Sequence, residues 1–332
     1  MKLAIGFFDG VHLGHRRILA GADAALTFRE HPLSVLAPDK APPLLMTADE
    51  RLAAIALALR GVKGFNGLKG VNGVKGNPET LPPSHLPTLP PSHLPTLPPR
   101  VRALAFTREL AAESPEGFAA RLRQAYPDLE TILCGPNWRF GAGGAGDADF
   151  LRAHGVAVEV VPLEELGGAP VSSTRIRTAL QAGDLPLANA MLGRPFAVAG
   201  EVVPGKGEGR KLGFPTINVR PANPCLARLL PFGVYVADTD WGRAVANWGQ
   251  APTMGEQAWP EPVLEVHVVG RGEGEKGRRW EGEKVGRGDG EKVEISLRRF
   301  LRPERRFDSV EALREQIKTD VFSASHSQQD RL

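Results

Sequence analysis

A short apolar run that ends in glycines and then meets two histidines most restricts how this chain can fold. Residues 2–7 have the length and composition of a buried strand, and the pattern from Gly14 onward is that of a helix entry. A strand that turns through glycines into a helix is the start of an alternating β/α arrangement with a parallel sheet. His12 and His15 then stand at the helix entry, where free backbone N–H groups and the helix dipole favour anions.

The histidine pair predicts chemistry at a nucleotide phosphate. Imidazole N–H groups aimed at the α-phosphate of a nucleoside triphosphate stabilise the negative charge that builds during attack. An isolated H-x-x-H is more often a pair of surface histidines beside a turn. The preceding strand, the glycines and the helix entry favour the phosphate site here.

Composition excludes several classes of protein. The 41 Lys and Arg residues nearly balance the 38 Asp and Glu residues, so net charge gives no reason to expect nucleic-acid binding. Cys134 and Cys225 are the two cysteines, which excludes a disulfide framework and a zinc spacing and favours a reducing cytoplasm. No apolar run approaches the roughly 20 residues that cross a bilayer, and no signal peptide is evident. We therefore expect a cytoplasmic protein with small-molecule partners, without nucleic-acid or membrane partners, and with its oligomeric state left open.

The hydrophobic pattern divides the chain into two parts near residue 190. Short apolar runs alternate with helical patterns in the first part and follow one another with few helices in the second. The expected fold class is α/β plus all-β: a Rossmann-like domain over residues 1–186, then a small antiparallel β-barrel with a C-terminal helix over residues 187–322. The first domain has predicted strands at 3–7, 24–28, 101–106, 131–134 and 156–161, and predicted helices at 47–59 and 115–126. The barrel has predicted strands at 196–203, 214–219, 233–238, 243–248, 263–269 and 293–300.

The last helix and the remaining segments complete the prediction. Asp308 and Glu311 have capping-box spacing, and Val310, Leu313 and Ile317 form one apolar face that can dock on the barrel. The polar tail 323–332 is expected to be disordered. Low-complexity insertions are predicted at 63–99, which contains a glycine-rich hexad and a proline-rich octad, and at 271–292, which repeats Gly-Glu-Lys.

Several motifs in register resemble one family, the prokaryotic bifunctional riboflavin kinase/FAD synthetases. They are G-F-F-D-G-V-H-L-G-H at 6–15, T-F-R-E-H-P at 27–32, F-T-R-E at 106–109, G-P-N-W-R-F-G at 135–141, S-S-T-R-I-R at 172–177 and L-G-F-P-T-I-N at 212–218. The resemblance implies a nucleotidyltransferase (FMN adenylyltransferase) domain followed by a flavokinase barrel. It also implies ATP, riboflavin, FMN and FAD as substrates and products, with Mg²⁺ as cofactor.

The first site is implied by the resemblance together with the local pattern. His12 and His15 are the candidate catalytic residues, and a serine cap with Arg177 can hold phosphate oxygens. Asp9 could orient a histidine or accept backbone hydrogen bonds, and the sequence leaves both open. The candidate ATP- and phosphate-binding residues are Gly6, Phe8, Asp9, Gly14, Asn137, Ser172, Ser173, Thr174 and Arg177.

The second site is predicted around a glycine-rich loop that can wrap phosphates with backbone N–H groups but lacks the P-loop pattern. Thr216 and Asn218 share one face of a strand and are the candidate metal ligands. Glu265, a lone carboxylate in an apolar strand, is the candidate base at the position where the family carries one. The candidate ATP- and flavin-binding residues are Gly205, Gly207, Gly209, Arg210, Gly213, Pro215 and Asn247.

The predicted function is therefore phosphorylation of riboflavin to FMN, followed by adenylylation of FMN to FAD with release of pyrophosphate. Two alternatives remain at this point. One is a monofunctional FMN adenylyltransferase with a degenerate flavin-binding barrel, and the other is a non-catalytic flavin- or nucleic-acid-binding protein. A binding module would not need the histidine pair together with Glu265, Thr216 and Asn218.

Overall fold

The computed structural model describes residues 1–61, 100–205, 207–249, 261–270 and 290–326. Backbone contacts divide the chain into two units, and the division falls between Ser173 and Thr174. The functional boundary predicted at residue 186 stays a prediction. Within the described ranges, no helix has the length and apolar character needed to cross a membrane.

The first unit is built on a five-stranded parallel sheet with the order β3-β2-β1-β4-β5. This order places β1 at the centre, with the connections from β1 leading first to one side and later to the other. The elements are β1 (Lys2–Ile5), α1 (Leu13–Ala20), β2 (Ala24–Phe28), α2 (Pro32–Leu36), α3 (Ala48–Leu59), β3 (Val101–Leu104), α4 (Arg108–Ala111), α5 (Pro115–Ala125), β4 (Thr131–Cys134), α6 (Ala148–Ala153), β5 (Ala157–Val160) and a small hairpin of β6 (Glu165–Leu166) and β7 (Ala169–Pro170).

Alternate residues of the central strand enter two different cores. Leu3 and Ile5 pack with residues of α5 and α6, whereas Ala4 packs with residues of α1 and α3. Both faces of the sheet are therefore covered, as parallel sheets require, and this explains why the strands read as continuous apolar runs. The short connection between β1 and β2 accommodates a helix of eight residues, which Gly21 ends.

The second unit contains a closed antiparallel barrel with the strand order β10-β11-β12-β9-β8-β13, in which β13 also pairs with β10. The predicted barrel is therefore confirmed. The elements of the second unit are α7 (Ser173–Gln181), whose first residue is the last of the first unit, α8 (Leu185–Leu192), β8 (Phe196–Val203), α9 (Glu208–Lys211), β9 (Ile217–Pro221), α10 (Leu226–Leu229), β10 (Gly233–Thr239), β11 (Gly242–Gly249), β12 (Val263–Val268), β13 (Lys292–Pro303) and α11 (Val310–Ser325).

The C-terminal helix covers part of the outer wall of the barrel through the predicted apolar face, but the contact is made by the C-terminal part of that face. Ile317, Val321 and Ala324 pack against the barrel, whereas Val310 is 49% exposed. Ser309, not Asp308, caps the helix, because its hydroxyl accepts from the Ala312 amide. The predicted capping box at Asp308 is wrong.

Several predicted boundaries also need correction. The tail predicted to be disordered from 323 is helical through Ser325, because Ala324 is buried on the barrel. Lys292, placed in the predicted insertion 271–292, begins β13 and pairs with Glu201. The strand predicted at 214–219 begins only at Ile217, and β1 and β3 end at Ile5 and Leu104. Residues 63–99 and 271–289 lie outside the described residues.

Candidate functional sites

The first site lies where the connections of the parallel sheet reverse direction. The segment after β1 and the segment after β4 both leave the carboxyl ends of neighbouring strands, since β1 pairs with β4. A crevice at such a switch point is where open α/β sheets bind ligands. The fold therefore brings the 6–15 motif and the 135–141 motif to the same edge of the sheet.

The turn after β1 has an unusual backbone. Phe8 has φ 59° and Val11 has φ 41°, although neither is glycine, and the Val11 amide donates to the Phe8 carbonyl at 3.1 Å. Both side chains are buried, which holds the turn in place. A strained turn of this kind costs about 1–3 kcal/mol per residue and is concentrated at functional sites. Sequence gave no signal for it, because a β-branched residue is the least expected at positive φ.

Asp9 fastens this turn to two distant parts of the first unit. Both carboxylate oxygens of Asp9 lie 3.1 Å from the Leu45 amide, which donates to them. The Ser173 hydroxyl donates to the Asp9 carbonyl oxygen at 2.9 Å. Of the two roles left open for Asp9, acceptance of a backbone hydrogen bond is therefore present. Ser173, a predicted phosphate-binding residue, lies beside the turn that carries the histidines.

The two histidines form a stacked pair. Their ring centroids are 3.6 Å apart and the planes differ by 18°. The His12 Nδ1 atom accepts from the His15 amide at 3.3 Å and caps α1, so the proton of a neutral His12 ring is on Nε2. Gly14 lies directly beside this pair, since a Cβ there would be in van der Waals contact with the His12 ring. The pair can present N–H donors at the helix N-terminus.

Protonation of the pair is strongly limited. Desolvation lowers the pKa of His15 well below its usual value of 6.5, and the neighbouring His12 lowers the pKa further. The Phe8 ring approaches His15 edge-on with centroids 5.4 Å apart. Positive charges on both stacked imidazoles would repel each other, so His15 is neutral at neutral pH.

Acid should therefore destabilise the first unit. The folded pKa of His15 lies below its unfolded value, so unfolded chains take up more protons as the pH falls below about 6.5, and folding stability declines. We expect the hydrogen-exchange protection factors of residues 1–61, which are corrected for the intrinsic pH dependence of amide exchange, to fall between pH 7.5 and pH 5.5, and His15→Asn to reduce this fall. His154→Asn, on an exposed histidine of the same unit, is the control. An equal acid response in the His15 variant would contradict the assignment.

Arg51 is a residue that sequence reasoning missed. It is fully buried, and its Nη2 atom donates to the Phe28 and Arg29 carbonyls at 2.7 and 2.8 Å. The guanidinium carbon lies 4.0 Å from the centre of the Phe7 ring, and Phe7 meets His31 edge-on. Arg51 thus ties the end of β2 to the start of the motif turn. A single arginine inside an amphipathic helix gives no sequence signal for this.

The other predicted residues of the first site separate into two groups. Asn137 is exposed in the loop after β4, beside a buried aromatic group in which Trp138 stacks on Phe140 with centroids 4.8 Å apart. Gly146 is required there, since a Cβ would lie 2.6 Å from the Phe140 ring. Thr174 and Arg177 lie on α7 in the second unit, where Arg177 is buried.

The second site lies on the outer wall of the barrel. Strand pairing places Glu265 of β12 directly opposite Asn218 of β9 on one side and Asn247 of β11 on the other. Side chains paired in this way point to the same face and lie about 5 Å apart at their Cβ atoms. The structure therefore brings together the predicted base, one predicted metal ligand and one predicted binding residue, although 47 positions separate Asn218 from Glu265 in the sequence.

The glycine-rich loop packs on the predicted metal ligands. A Cβ on Gly205 would lie 1.8 Å from the Asn218 amide nitrogen, and a Cβ on Gly209 would lie 3.2 Å from the Thr216 hydroxyl and 2.4 Å from the Phe214 carbonyl oxygen. Only glycine allows the loop to approach so closely. Contrary to the prediction of a plain loop, residues Glu208–Lys211 form the short helix α9, after which Gly213 takes φ 90°. Arg210 is exposed, and Pro215 ends this segment.

Two carboxylates meet near Asn247. Burial is the main cause that raises the pKa of Glu265, and the negative charge of Glu304 raises it further. The Glu304 carboxylate hydrogen-bonds with the Asn247 side chain and lies against Gly249, where a Cβ would be 1.8 Å from Oε1. A carboxylate with a raised pKa is suited to accept a proton near neutral pH. Sequence reasoning missed Glu304, which follows β13 and is brought to the site by barrel closure.

The two units, each with its site, define the class of protein. A parallel α/β sheet with a histidine pair at its switch point is a nucleotidyltransferase arrangement, and the barrel with its glycine loop is a flavokinase arrangement. The family model described as FAD synthetase matches residues 1–64 and 100–175, and the model described as riboflavin kinase matches residues 192–327. The chain belongs to the bifunctional riboflavin kinase/FMN adenylyltransferase family. The predicted fold class and both predicted activities are confirmed.

Curated relatives are similar in sequence to this chain over nearly its whole length. The bifunctional riboflavin kinase/FMN adenylyltransferase of Escherichia coli (strain K12) is 30% identical over 97% of this chain and 91% of its own length. The enzyme of the same name from Pseudomonas fluorescens is 32% identical over 96% and 90%. A crystal structure of a Streptococcus pneumoniae protein described as a macrolide-efflux protein matches with a TM-score of 0.70 and 25% identity, covering 98% of this chain and 94% of that one.

Proposed function

We propose that His12 and His15 carry adenylyl transfer. A phosphate oxygen of FMN attacks the α-phosphorus of ATP, a new P–O bond forms, and pyrophosphate leaves with the electrons of the broken bond. Negative charge on the α-phosphate oxygens is stabilised by imidazole N–H groups and by backbone amides at the start of α1. The observation that carries this assignment is the His12 Nδ1 contact with the His15 amide, because it directs the N–H of His12 away from the helix. The predicted residues Gly6, Phe8 and Gly14 shape the turn.

For the second reaction, we assign Glu265 as the base. It accepts the proton of the terminal hydroxyl of riboflavin, the hydroxyl oxygen bonds to the γ-phosphorus of ATP, and ADP leaves. The observation that carries this assignment is the alignment of Asn218, Glu265 and Asn247 on three neighbouring strands. The glycine loop Gly205–Gly213 supplies backbone N–H groups for the phosphates, and its close approach to Asn218 supports the placement.

The oxygens of Thr216 and Asn218 fit Mg²⁺. They are uncharged hard ligands of the kind that Mg²⁺ uses when phosphates supply most of the charge, and the glycine loop, the proposed phosphate cradle, lies against both residues. When bound, Mg²⁺ neutralises charge on the ATP phosphates during phosphoryl transfer. Among the described residues, no cluster of three or more His, Cys, Asp or Glu side chains favours another metal.

Removal of free divalent cations should stop both reactions. Because the proposed ligands are few and neutral, the ion exchanges readily and arrives with ATP. EDTA is expected to abolish FMN and FAD formation, and added Mg²⁺ is expected to restore both. Metal analysis of the purified protein is the control. A stoichiometric zinc ion that survives EDTA and is needed for turnover would contradict the assignment.

One incubation tests the proposed function as a whole. Purified protein, riboflavin, ATP and Mg²⁺ are incubated, and riboflavin, FMN and FAD are separated at intervals. We expect FMN to appear first and FAD to follow. Formation of FAD from supplied FMN without any FMN from riboflavin would favour the monofunctional alternative.

Because both reactions consume ATP and the two cysteines are free thiols, we place the enzyme in the cytoplasm.

A further inference from the structure

His267 is a buried side chain at the kinase site to which the reaction described so far gives no role. It follows Glu265 by two positions on β12 and therefore lies on the same face of the strand. It is 6% exposed, and its Nδ1 atom is 2.9 Å from the Pro215 carbonyl oxygen. A carbonyl oxygen only accepts, so Nδ1 carries the proton and donates. The ring also meets Phe214 edge-on, with centroids 5.4 Å apart.

The position of this hydrogen bond matters because the strand pairing stops just before it. The β12–β9 ladder joins Leu264 to Val219, Glu265 to Asn218 and Val266 to Ile217, and there it ends. Thr216, the proposed metal ligand, is one residue beyond the last rung. Its backbone is therefore not held by the ladder, in contrast with that of Asn218.

The peptide bond between Pro215 and Thr216 is planar, so the direction of the Pro215 carbonyl fixes the direction of the Thr216 amide. His267 holds that carbonyl from β12. The hydrogen bond of the His267 side chain thus connects β12 to the neighbouring segment two residues beyond the last backbone rung, at the residue that precedes Thr216.

We propose that His267 is a positioning residue of the kinase site, which holds the Pro215–Thr216 peptide so that the Thr216 hydroxyl points at the same cation as Asn218. This inference rests on the proposed metal-binding role of Thr216 and Asn218. Loss of a residue that orients a metal ligand typically weakens metal binding by about 10- to 100-fold.

Three variants of the full chain separate positioning from simple packing. His267→Phe fills the space and keeps an aromatic ring beside Phe214 but removes the donor. His267→Asn keeps a side-chain N–H at about the place of Nδ1. Val245→Ala removes a buried side chain directly opposite His267 on β11 without touching the hydrogen bond, and is the packing control.

The measurement is calorimetric binding of ADP as the Mg²⁺ concentration is varied, which needs no turnover. We expect His267→Phe to raise the Mg²⁺ concentration for half-maximal ADP binding by about 10- to 100-fold. His267→Asn should return it to within a few-fold of the unchanged protein, and Val245→Ala should leave it unchanged. If the Phe variant fails to fold, as judged by circular dichroism, His267→Leu is measured in its place.

The role of His267 and the metal-binding role of Thr216 can be overturned separately. An unchanged Mg²⁺ dependence in a folded variant that lacks the donor overturns the role of His267, while the proposed metal ligands stand. If Thr216→Val also leaves the Mg²⁺ dependence unchanged, the proposed metal site is wrong. With Thr216 already replaced by Val, His267→Phe should add little further loss, because its effect passes through Thr216. A full additional loss in that background would also overturn the positioning role.

Discussion

Replacement of His12 or His15 by alanine is expected to reduce FAD formation from FMN by about 100-fold or more while riboflavin is still converted to FMN. The reason is that each substitution removes a donor proposed to contact the α-phosphate, and the proposed kinase residues belong to the other unit. FMN should therefore accumulate. Adenylylation is measured with supplied FMN, and phosphorylation is measured with riboflavin in the same preparation.

The His12 substitution carries an additional consequence. His12 also caps α1 through Nδ1, and the loss of a helix cap typically costs about 0.5–2 kcal/mol. His12→Asn keeps a capping side chain and is the better test of catalysis alone. His154→Ala, on an exposed histidine of the same unit, should change neither reaction. Equal damage to both reactions in a folded His15 variant would exclude two independent sites.

Glu265→Gln is expected to have the opposite effect, with riboflavin phosphorylation reduced by about 10²- to 10⁴-fold and adenylylation of supplied FMN nearly unchanged. The amide keeps the size of the side chain and its place between Asn218 and Asn247 but cannot accept the proton. Glu261→Gln, on an exposed carboxylate just before β12, is the matched control. Normal phosphorylation by the Gln variant would exclude Glu265 as the base.

The raised pKa of Glu265 adds a test by pH. A base must be deprotonated, so phosphorylation should fall as the pH drops through a pKa that lies above the ordinary carboxylic value. Glu304→Gln keeps an acceptor for Asn247 but removes the neighbouring charge, so the acid limb of kcat/KM should move to lower pH. The rate profile of FMN formation is the measurement, and an acid limb that stays in place would mean that Glu304 does not influence the base.

Local patterns predicted most of the elements of both units. The strands of the first unit are continuous apolar runs because both faces of the sheet are covered, and Thr47 with Glu50 forms a capping box at the start of α3. The C-terminal helix was predicted less well. Both Asp308 and Ser309 are suitable caps by residue type, and only the path of the chain leaving β13 decides that Ser309 is used.

The order of residues alone was enough to identify the chemical groups: a histidine pair at a helix entry, a glycine-rich loop, and a lone carboxylate in an apolar strand. These depend on residue type and short spacing, which the chain displays directly. Which of these groups lie next to one another became known only from the folded chain. The alignment of Asn218, Glu265 and Asn247 depends on strand register, and the approach of Glu304 depends on barrel closure. The burial of Arg51 and the hydrogen bond of His267 depend on packing between segments distant in sequence, and no local pattern encodes such contacts.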